Sequence, residues 1–132
     1  MSKKPAHRNF ADSFEKIPVH VFPHQKEGSV YVARLIADFI REKQKKKEKC
    51  VLGLATGSTP KTLYAELVRM HREEKLSFKN VVTFNLDEYY PIANNALQSY
   101  NRFMKTHLFD LVDINPKNIH IPNGEIKKED IK

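Results

Sequence analysis

Residues 50–60 read Cys50-Val51-Leu52-Gly53-Leu54-Ala55-Thr56-Gly57-Ser58-Thr59-Pro60, and the fold is organised around them. The first part, Cys50 to Ala55, is an apolar run with the length of a buried strand. Four small residues follow, and a segment with helical periodicity then runs from Pro60 to about Glu74. We predict a strand, a tight turn and a helix, with Thr59 as the N-cap and Pro60 at the first helical position.

A turn of this kind can bind an anion. The first turn of a helix leaves backbone N–H groups free, and the helix dipole favours negative charge there. Gly57 lets a ligand approach the backbone closely, and Thr56, Ser58 and Thr59 add hydroxyl donors. The two common nucleotide-binding glycine patterns are absent. The turn is therefore either a site for a small phosphorylated molecule or an ordinary strand–helix connection.

A second buried strand is predicted over Asn80–Leu86, and Asp87 and Glu88 follow it directly. Open α/β sheets bind ligands at the carboxyl ends of their strands. One βαβ unit would therefore place an anion site and a carboxylate at the same edge of the sheet. This arrangement suits acid–base chemistry on a phosphorylated substrate. The alternative is that Asp87 and Glu88 form a solvated turn or cap the next helix.

The rest of the chain alternates between strands and helices. We predict a strand at Ile17–Phe22, for which an edge position would suit Pro18 because proline cannot donate to a ladder, and a helix from about Val30 to Lys47. A further helix from Ser99 to Asp110 and a short strand at Asn118–Ile121 follow. This order indicates an α/β fold, a Rossmann-like parallel sheet with flanking helices. Residues 1–16 have no periodicity and are predicted to be a leader or flexible arm before a folded part at 17–132.

The composition restricts the class of protein. The chain has 132 residues, of which 40% are hydrophobic and 30% are charged, as in soluble domains. It has no apolar run of membrane-spanning length and no signal-peptide pattern, so we expect no membrane partner and a cytoplasmic location. No histidine or cysteine lies in a metal-ligand spacing, and we predict no metal and no cofactor.

The net charge of +7 raises the alternative of a nucleic-acid binder. Much of this charge lies in Lys43–Lys49 and in the first eight residues. Lysines at the end of a helix complement its dipole, so we interpret the run as a solvated helix end. No nucleic-acid motif is present, and we expect no nucleic-acid partner.

Four stretches of sequence carry a resemblance to a known family. Residues 52–60 resemble the phosphate loop of glucosamine-6-phosphate deaminases, and Val81–Tyr89 resembles their second motif. Leu97–Met104 is similar to the Glu-Ser-Tyr start of their next helix, and Asp113–Ile119 matches the turn and strand after it. The phosphate loop is shared with sugar-phosphate lactonases and related regulators, whereas Thr-Phe-Asn-Leu-Asp-Glu-Tyr is more specific to the deaminases.

The resemblance implies an isomerising deamination in amino-sugar catabolism. Glucosamine 6-phosphate and water would give fructose 6-phosphate and ammonia. The loop Thr56, Gly57, Ser58 and Thr59 would hold the phosphate. Asp87 would move a proton between C1 and C2 of the sugar, and Glu88 would be a second catalytic residue or orient the loop. The partner would be a small phosphorylated amino sugar, and the full-length parent is expected to be a homo-oligomer.

The family's later glycine-rich motif, with the histidine and acidic residues that open the sugar ring, does not occur in these 132 residues. We therefore expect the chain to be the N-terminal part of a larger domain that binds phosphate but does not turn over the substrate. Two alternatives remain, namely a 6-phosphogluconolactonase-like hydrolase or related isomerase, and a non-catalytic domain that senses a sugar phosphate. Asp87 and Glu88 favour catalysis over sensing.

Overall fold

The computed structural model describes residues 17–132, and the predicted leader at 1–16 lies outside them. The main elements, in chain order, are α1 (Gln25–Lys45), β1 (Cys50–Leu54), α2 (Lys61–Glu74), β2 (Val81–Asn85), α3 (Tyr100–His107) and β3 (Ile119–His120). Three short 3₁₀ turns lie at Phe109–Leu111, Pro116–Asn118 and Lys128–Asp130. The predicted α/β class is confirmed.

The three strands form a parallel sheet in the order β1-β2-β3. Both crossovers step in the same direction, and right-handed crossovers then place α2 and α3 on one face of the sheet. The side chains that point to this face, such as Cys50 and Val81, are buried. On the other face Val51 and Phe84 are 58% and 49% exposed. We call this second face, formed by Val51, Gly53, Val82, Phe84 and His120, the open face.

The core lies between the covered face of the sheet and the three helices. Its buried residues come from every one of these elements: Ala33, Ala37, Ile40, Cys50, Leu54, Tyr64, Leu67, Met70, Val81, Met104 and Leu108. The predicted apolar stripe of α2 is therefore the face that packs. At the rim Glu74 of α2 bonds to Arg34 of α1 at 2.7 Å and to Arg69 at 2.7 Å. These two guanidinium groups lower the pKa of Glu74 to about 2, and the hydrogen bond from Arg34 has the larger effect.

The first predicted strand is wrong. Residues 17–22 form no strand, and Ile17 and Val21 are largely exposed. The Phe22 ring packs instead against Tyr31 of α1, with ring centroids 5.2 Å apart. The helix begins at Gln25, earlier than predicted, and includes Gly28. Phe22 lies 3.3 Å from the point where a Cβ on Gly28 would stand, so the glycine makes room for the ring rather than breaking the helix.

Candidate active site

The two stretches with predicted chemistry meet at one edge of the sheet. The last paired residues of β1 and β2 are Leu54 and Asn85, which lie opposite each other. Thr56 and Asp87 each come two residues later, one on each strand's exit loop. The carboxyl ends of adjacent parallel strands thus bring residues 56–59 beside Asp87, as the sequence predicts for an open α/β sheet.

The carbonyl groups of the loop after β1 are held from within the protein. Asn85 Nδ2 donates to the Leu54 carbonyl at 3.1 Å, and the Tyr64 hydroxyl donates to that of Ala55. The backbone N–H of Lys61 donates to the Ser58 carbonyl at 3.3 Å, and Gln25 Nε2 to that of Thr59 at 3.4 Å. Four carbonyl groups, those of Leu54, Ala55, Ser58 and Thr59, are therefore occupied.

The amide groups of the same loop are available. The backbone N–H groups of residues 56–59 donate to no residue in the range 17–132. Gly57 has a φ of +105°, and no atom lies within 4 Å of the point where its Cβ would stand. A non-glycine residue would be strained at this φ. A loop with free amides and three hydroxyl groups can bind an anion.

Thr59 does not cap α2, contrary to the prediction. Pro60 occupies the N-cap position in a helical conformation, with a φ of −78°, and no side chain in the described range accepts a capping hydrogen bond. Its carbonyl already accepts the N–H of Tyr64 at 2.9 Å. Thr59 lies one residue further out, where its hydroxyl is exposed at the edge of the loop. The Thr59 side chain is therefore free to contact a ligand.

Asp87 and Glu88 have different surroundings. The Asp87 carboxylate is exposed and makes no hydrogen bond or ion pair within the described part of the chain. Glu88 accepts the backbone N–H groups of Tyr100, Asn101 and Tyr89 at 2.8, 2.9 and 2.9 Å. Burial acts to raise the pKa of Glu88, but these hydrogen bonds outweigh it and lower the pKa overall. Glu88 thus anchors the loop to α3, whereas Asp87 is open to a substrate.

Two tyrosines complete the edge. The rings of Tyr89 and Tyr100 lie 4.9 Å apart at 48°. The pKa of Tyr100 is raised, first by its hydrogen bond with Tyr89 and also by the charge of Asp87, while the Thr56 hydroxyl acts in the opposite direction. Tyr100 therefore lies near both Thr56 and Asp87. Our sequence reasoning did not select Tyr100, although the Ser-Tyr helix start that contains it was a usable signal.

The C-terminal part of the loop that carries Asp87 is held by hydrogen bonds to the turn after β3. The Gly124 carbonyl accepts the N–H of Ile92 at 2.9 Å. A Cβ on Gly124 would stand 2.8 Å from the Tyr89 carbonyl oxygen, so only glycine allows this close approach. Glu125 accepts the N–H of Asn94 at 3.0 Å. Sequence reasoning missed this contact, because its residues are far apart along the chain.

The described part of the chain can be compared with the requirements of a metal site and of a membrane-spanning helix. No group of three or more His, Cys, Asp or Glu residues there could hold a metal ion. No helix within residues 17–132 has the length and apolar character needed to cross a bilayer. In the lysine run, Lys43 pairs with Glu48 at 2.7 Å and Lys46 with Glu42 at 2.9 Å. The absence of a nucleic-acid partner stays a prediction.

Comparisons with known proteins agree with this geometry. A family model described as glucosamine-6-phosphate isomerases/6-phosphogluconolactonase matches residues 23–131. A glucosamine-6-phosphate deaminase-like protein of Bacteroides thetaiotaomicron is 48% identical over 117 residues, which are 89% of this chain and 18% of that protein. Glucosamine-6-phosphate deaminase 2 of Giardia intestinalis is 52% identical over 105 residues, 79% of this chain and 38% of that protein.

Solved structures give the same result. A monomeric glucosamine-6-phosphate deaminase superposes with a TM-score of 0.79 at 39% identity, covering 85% of this chain and 45% of that one. The 6-phosphogluconolactonase of Thermotoga maritima superposes with a TM-score of 0.63 at 26% identity, covering 77% of this chain and 45% of that one. The chain thus spans less than half the length of each of these proteins.

Proposed function

The chain belongs to the glucosamine-6-phosphate isomerase/6-phosphogluconolactonase family, and from this premise we propose that it carries the phosphate loop and the base of an isomerising deaminase. The substrate of the full-length protein is glucosamine 6-phosphate, and the products are fructose 6-phosphate and ammonia. The 132 residues alone bind phosphate without turning over the substrate, because the residues that open the sugar ring are not among them.

One observation carries the proposal. Within residues 17–132, the amides of the loop at 56–59 are free and the Asp87 carboxylate is unpaired, and the two follow adjacent strands at matching positions. The phosphate of a sugar can therefore be held at the end of β1 while carbons of the same molecule lie at the end of β2. Holding a substrate in this way converts proton transfer into an effectively unimolecular step.

The chemistry divides between these two loops. Asp87 moves a proton between C1 and C2 of the sugar, through an enediol-like intermediate. A general base must be free to reach the substrate, and Asp87 has no competing partner among the described residues. Glu88 is committed to three backbone amides, so we assign it to positioning rather than to proton transfer.

A second candidate function is lactone hydrolysis, because the Thermotoga maritima 6-phosphogluconolactonase shares the fold at 26% identity. It would use the same phosphate loop, so phosphate binding does not separate the two. The identities of 48% and 52% to proteins named as deaminases or deaminase-like favour deamination. Assaying the full-length protein with both substrates distinguishes them, since only deamination releases ammonia.

Asp87→Asn in the full-length protein tests the proposal. This change keeps the size of the side chain and removes the base, so we expect kcat to fall by about a hundred- to ten-thousand-fold with little change in KM. Glu88→Gln is the matched control at the neighbouring carboxylate, and we expect a smaller loss. A kcat within a few-fold of the unmodified enzyme after Asp87→Asn would show that another residue is the base.

The oligomeric state stays a prediction. We expected a homo-oligomer, whereas the deaminase that superposes with a TM-score of 0.79 is monomeric. Sedimentation of the full-length protein decides between these states, and neither outcome changes the roles assigned to the two loops.

A further inference from the structure

We infer that Tyr64 and Asn85 are positioning residues for the phosphate loop, an inference that rests on the proposed function of residues 56–59. Neither belongs to the loop. Tyr64 lies in the first turn of α2 and Asn85 is the last residue of β2. Their side chains are 1% and 8% exposed, so each reaches the loop from inside the protein.

Both side chains donate to the last carbonyl groups before the loop. Asn85 Nδ2 holds the Leu54 carbonyl and the Tyr64 hydroxyl holds the Ala55 carbonyl. A trans peptide group is planar, with its C=O and N–H pointing in opposite directions. Holding the Ala55 carbonyl toward the core therefore turns the N–H of Thr56 outward. The side chains of Tyr64 and Asn85 thus fix the orientation of the peptide groups that lead into the phosphate loop.

The opposite orientation would prevent binding. If the Ala55 peptide flipped, its carbonyl oxygen would face the ligand and repel a phosphate dianion. Burial raises the pKa of Tyr64 to about 12, so its hydroxyl keeps its proton and remains a donor throughout the physiological range. A phenylalanine would fill the same space in the core but would leave the orientation of the Ala55 peptide unfixed.

The simplest competing explanation is that Tyr64 only satisfies its own buried hydroxyl. A structural role of that kind predicts lower stability with unchanged phosphate affinity. A positioning role predicts weaker phosphate binding, accompanied by a change at the Ala55 carbonyl. The two roles are therefore separable by measuring both quantities on the same variants.

The experiment uses the full 132-residue chain, isotopically labelled, with inorganic phosphate as the probe. Phosphate is titrated while the amide signals of Gly57, Ser58 and Thr59 are followed by NMR. We expect Tyr64→Phe to raise the phosphate Kd by about three- to tenfold, the effect of losing one neutral hydrogen bond. We also expect the ¹³C signal of the Ala55 carbonyl to shift in the unbound protein.

The matched control is Tyr31→Phe, because the Tyr31 hydroxyl makes no hydrogen bond to any residue between 17 and 132. Asn85→Leu repeats the test on the other donor. Its control is Thr83→Val, since the Thr83 hydroxyl is buried on the same strand and has no hydrogen-bond partner among the described residues. We expect the phosphate Kd of both control variants to stay within about twofold of the value for the unmodified chain. If Tyr64→Phe does not fold, the inference is tested by comparing Asn85→Leu with Thr83→Val, using the same measurements of phosphate Kd and stability.

Three results would overturn the inference, and they differ in what else they affect. An unchanged Kd in Tyr64→Phe and Asn85→Leu, with lower stability, would leave both residues with a structural role only and the phosphate loop intact. An equal rise in Kd in the controls would show an unspecific effect. No phosphate-dependent shift in the unmodified, folded chain would remove the proposed phosphate site itself, and this inference with it.

Discussion

The Glu88 carboxylate accepts the backbone N–H of Tyr100 at 2.8 Å, which joins the end of β2 to the start of α3 across the intervening loop. A second bond, from the N–H of Asn101 at 2.9 Å, uses the other carboxylate oxygen. Both amides belong to the first turn of α3, where no intrahelical acceptor exists. The position of Tyr100 relative to Asp87 thus depends on Glu88, and this suggests a direct test.

Glu88→Gln should lower the free energy of unfolding by about 1–2 kcal/mol, because a negative acceptor at a helix N-terminus becomes neutral. Urea denaturation of the 132-residue chain measures it. Glu129→Gln is a suitable control, since Glu129 is exposed and accepts no side-chain hydrogen bond from a residue in the described range. Equal stability of the two variants would mean that Glu88 does not stabilise α3.

Acid should weaken the contact between α1 and α2 through Glu74. Its pKa is lowered to about 2 by Arg34 and Arg69. A lowered pKa means that the folded state prefers the charged form, so this stabilisation is complete above the usual value of about 4.3 and is lost as the pH falls toward 2.

The measurement compares stability in the unmodified chain and in Glu74→Gln between pH 6 and pH 2. We expect the difference between the two to shrink as the pH falls, and to be smaller in high salt because Arg34 is partly exposed. A difference that stays constant across this range would exclude Glu74 as the source.

Gly124→Ala should destabilise the loop that carries Asp87. The added methyl group would stand 2.5 Å from Ile92 Cγ2 and 2.8 Å from the Tyr89 carbonyl oxygen, and the backbone must move to accept it. We expect a loss of about 1–3 kcal/mol and shifted amide signals at residues 89–92.

Gly53→Ala is the control for this prediction. No atom lies within 4 Å of the point where its Cβ would stand, and it faces solvent on the open face. Alanine is favoured over glycine inside a strand, so stability should be unchanged or slightly higher. A Gly124→Ala chain as stable as Gly53→Ala would mean that the turn after β3 does not fasten the loop.

The two hydroxyl residues before α2 and α3 should behave differently. The Ser99 hydroxyl is buried and accepts the N–H of Arg102 at 3.1 Å, so Ser99→Ala should cost about 1–2 kcal/mol. Thr59 caps nothing, so Thr59→Ala should change stability by less than about 0.5 kcal/mol. In a phosphate titration the order should reverse, with Thr59→Ala binding more weakly than Ser99→Ala.

Local patterns predicted most of the fold. The apolar run at residues 50–55 and the spacing of Leu67 and Met70 correspond to β1 and to the buried face of α2. The segment at 17–22 alternated like a strand but packs its Phe22 on α1, a tertiary contact that no local period reveals. The helix was predicted to begin near Val30, but it includes Gly28, which leaves room for that same ring.

For the candidate site, the sequence predicted which residues meet at the ends of adjacent strands. It did not predict the hydrogen-bond partners that come from other parts of the chain. Parallel pairing alone brings residues 56–59 and Asp87 to one edge. The different surroundings of Asp87 and Glu88 could not be read from the sequence, because they depend on amides that lie some dozen residues further along. The support from Tyr64, Asn85 and Gly124 likewise appears only when the chain is folded.

The open face has a consequence for the calorimetry of this chain. Unfolding raises the heat capacity mainly by exposing apolar surface to water. Val51 and Phe84 are already about half exposed to water in the native state. They therefore contribute less to the heat-capacity change of unfolding than fully buried side chains do. For 132 residues an ordinary domain would show about 1.6–2.0 kcal/mol/K. This chain should fall below that range, and its stability curve should be broader and flatter with temperature.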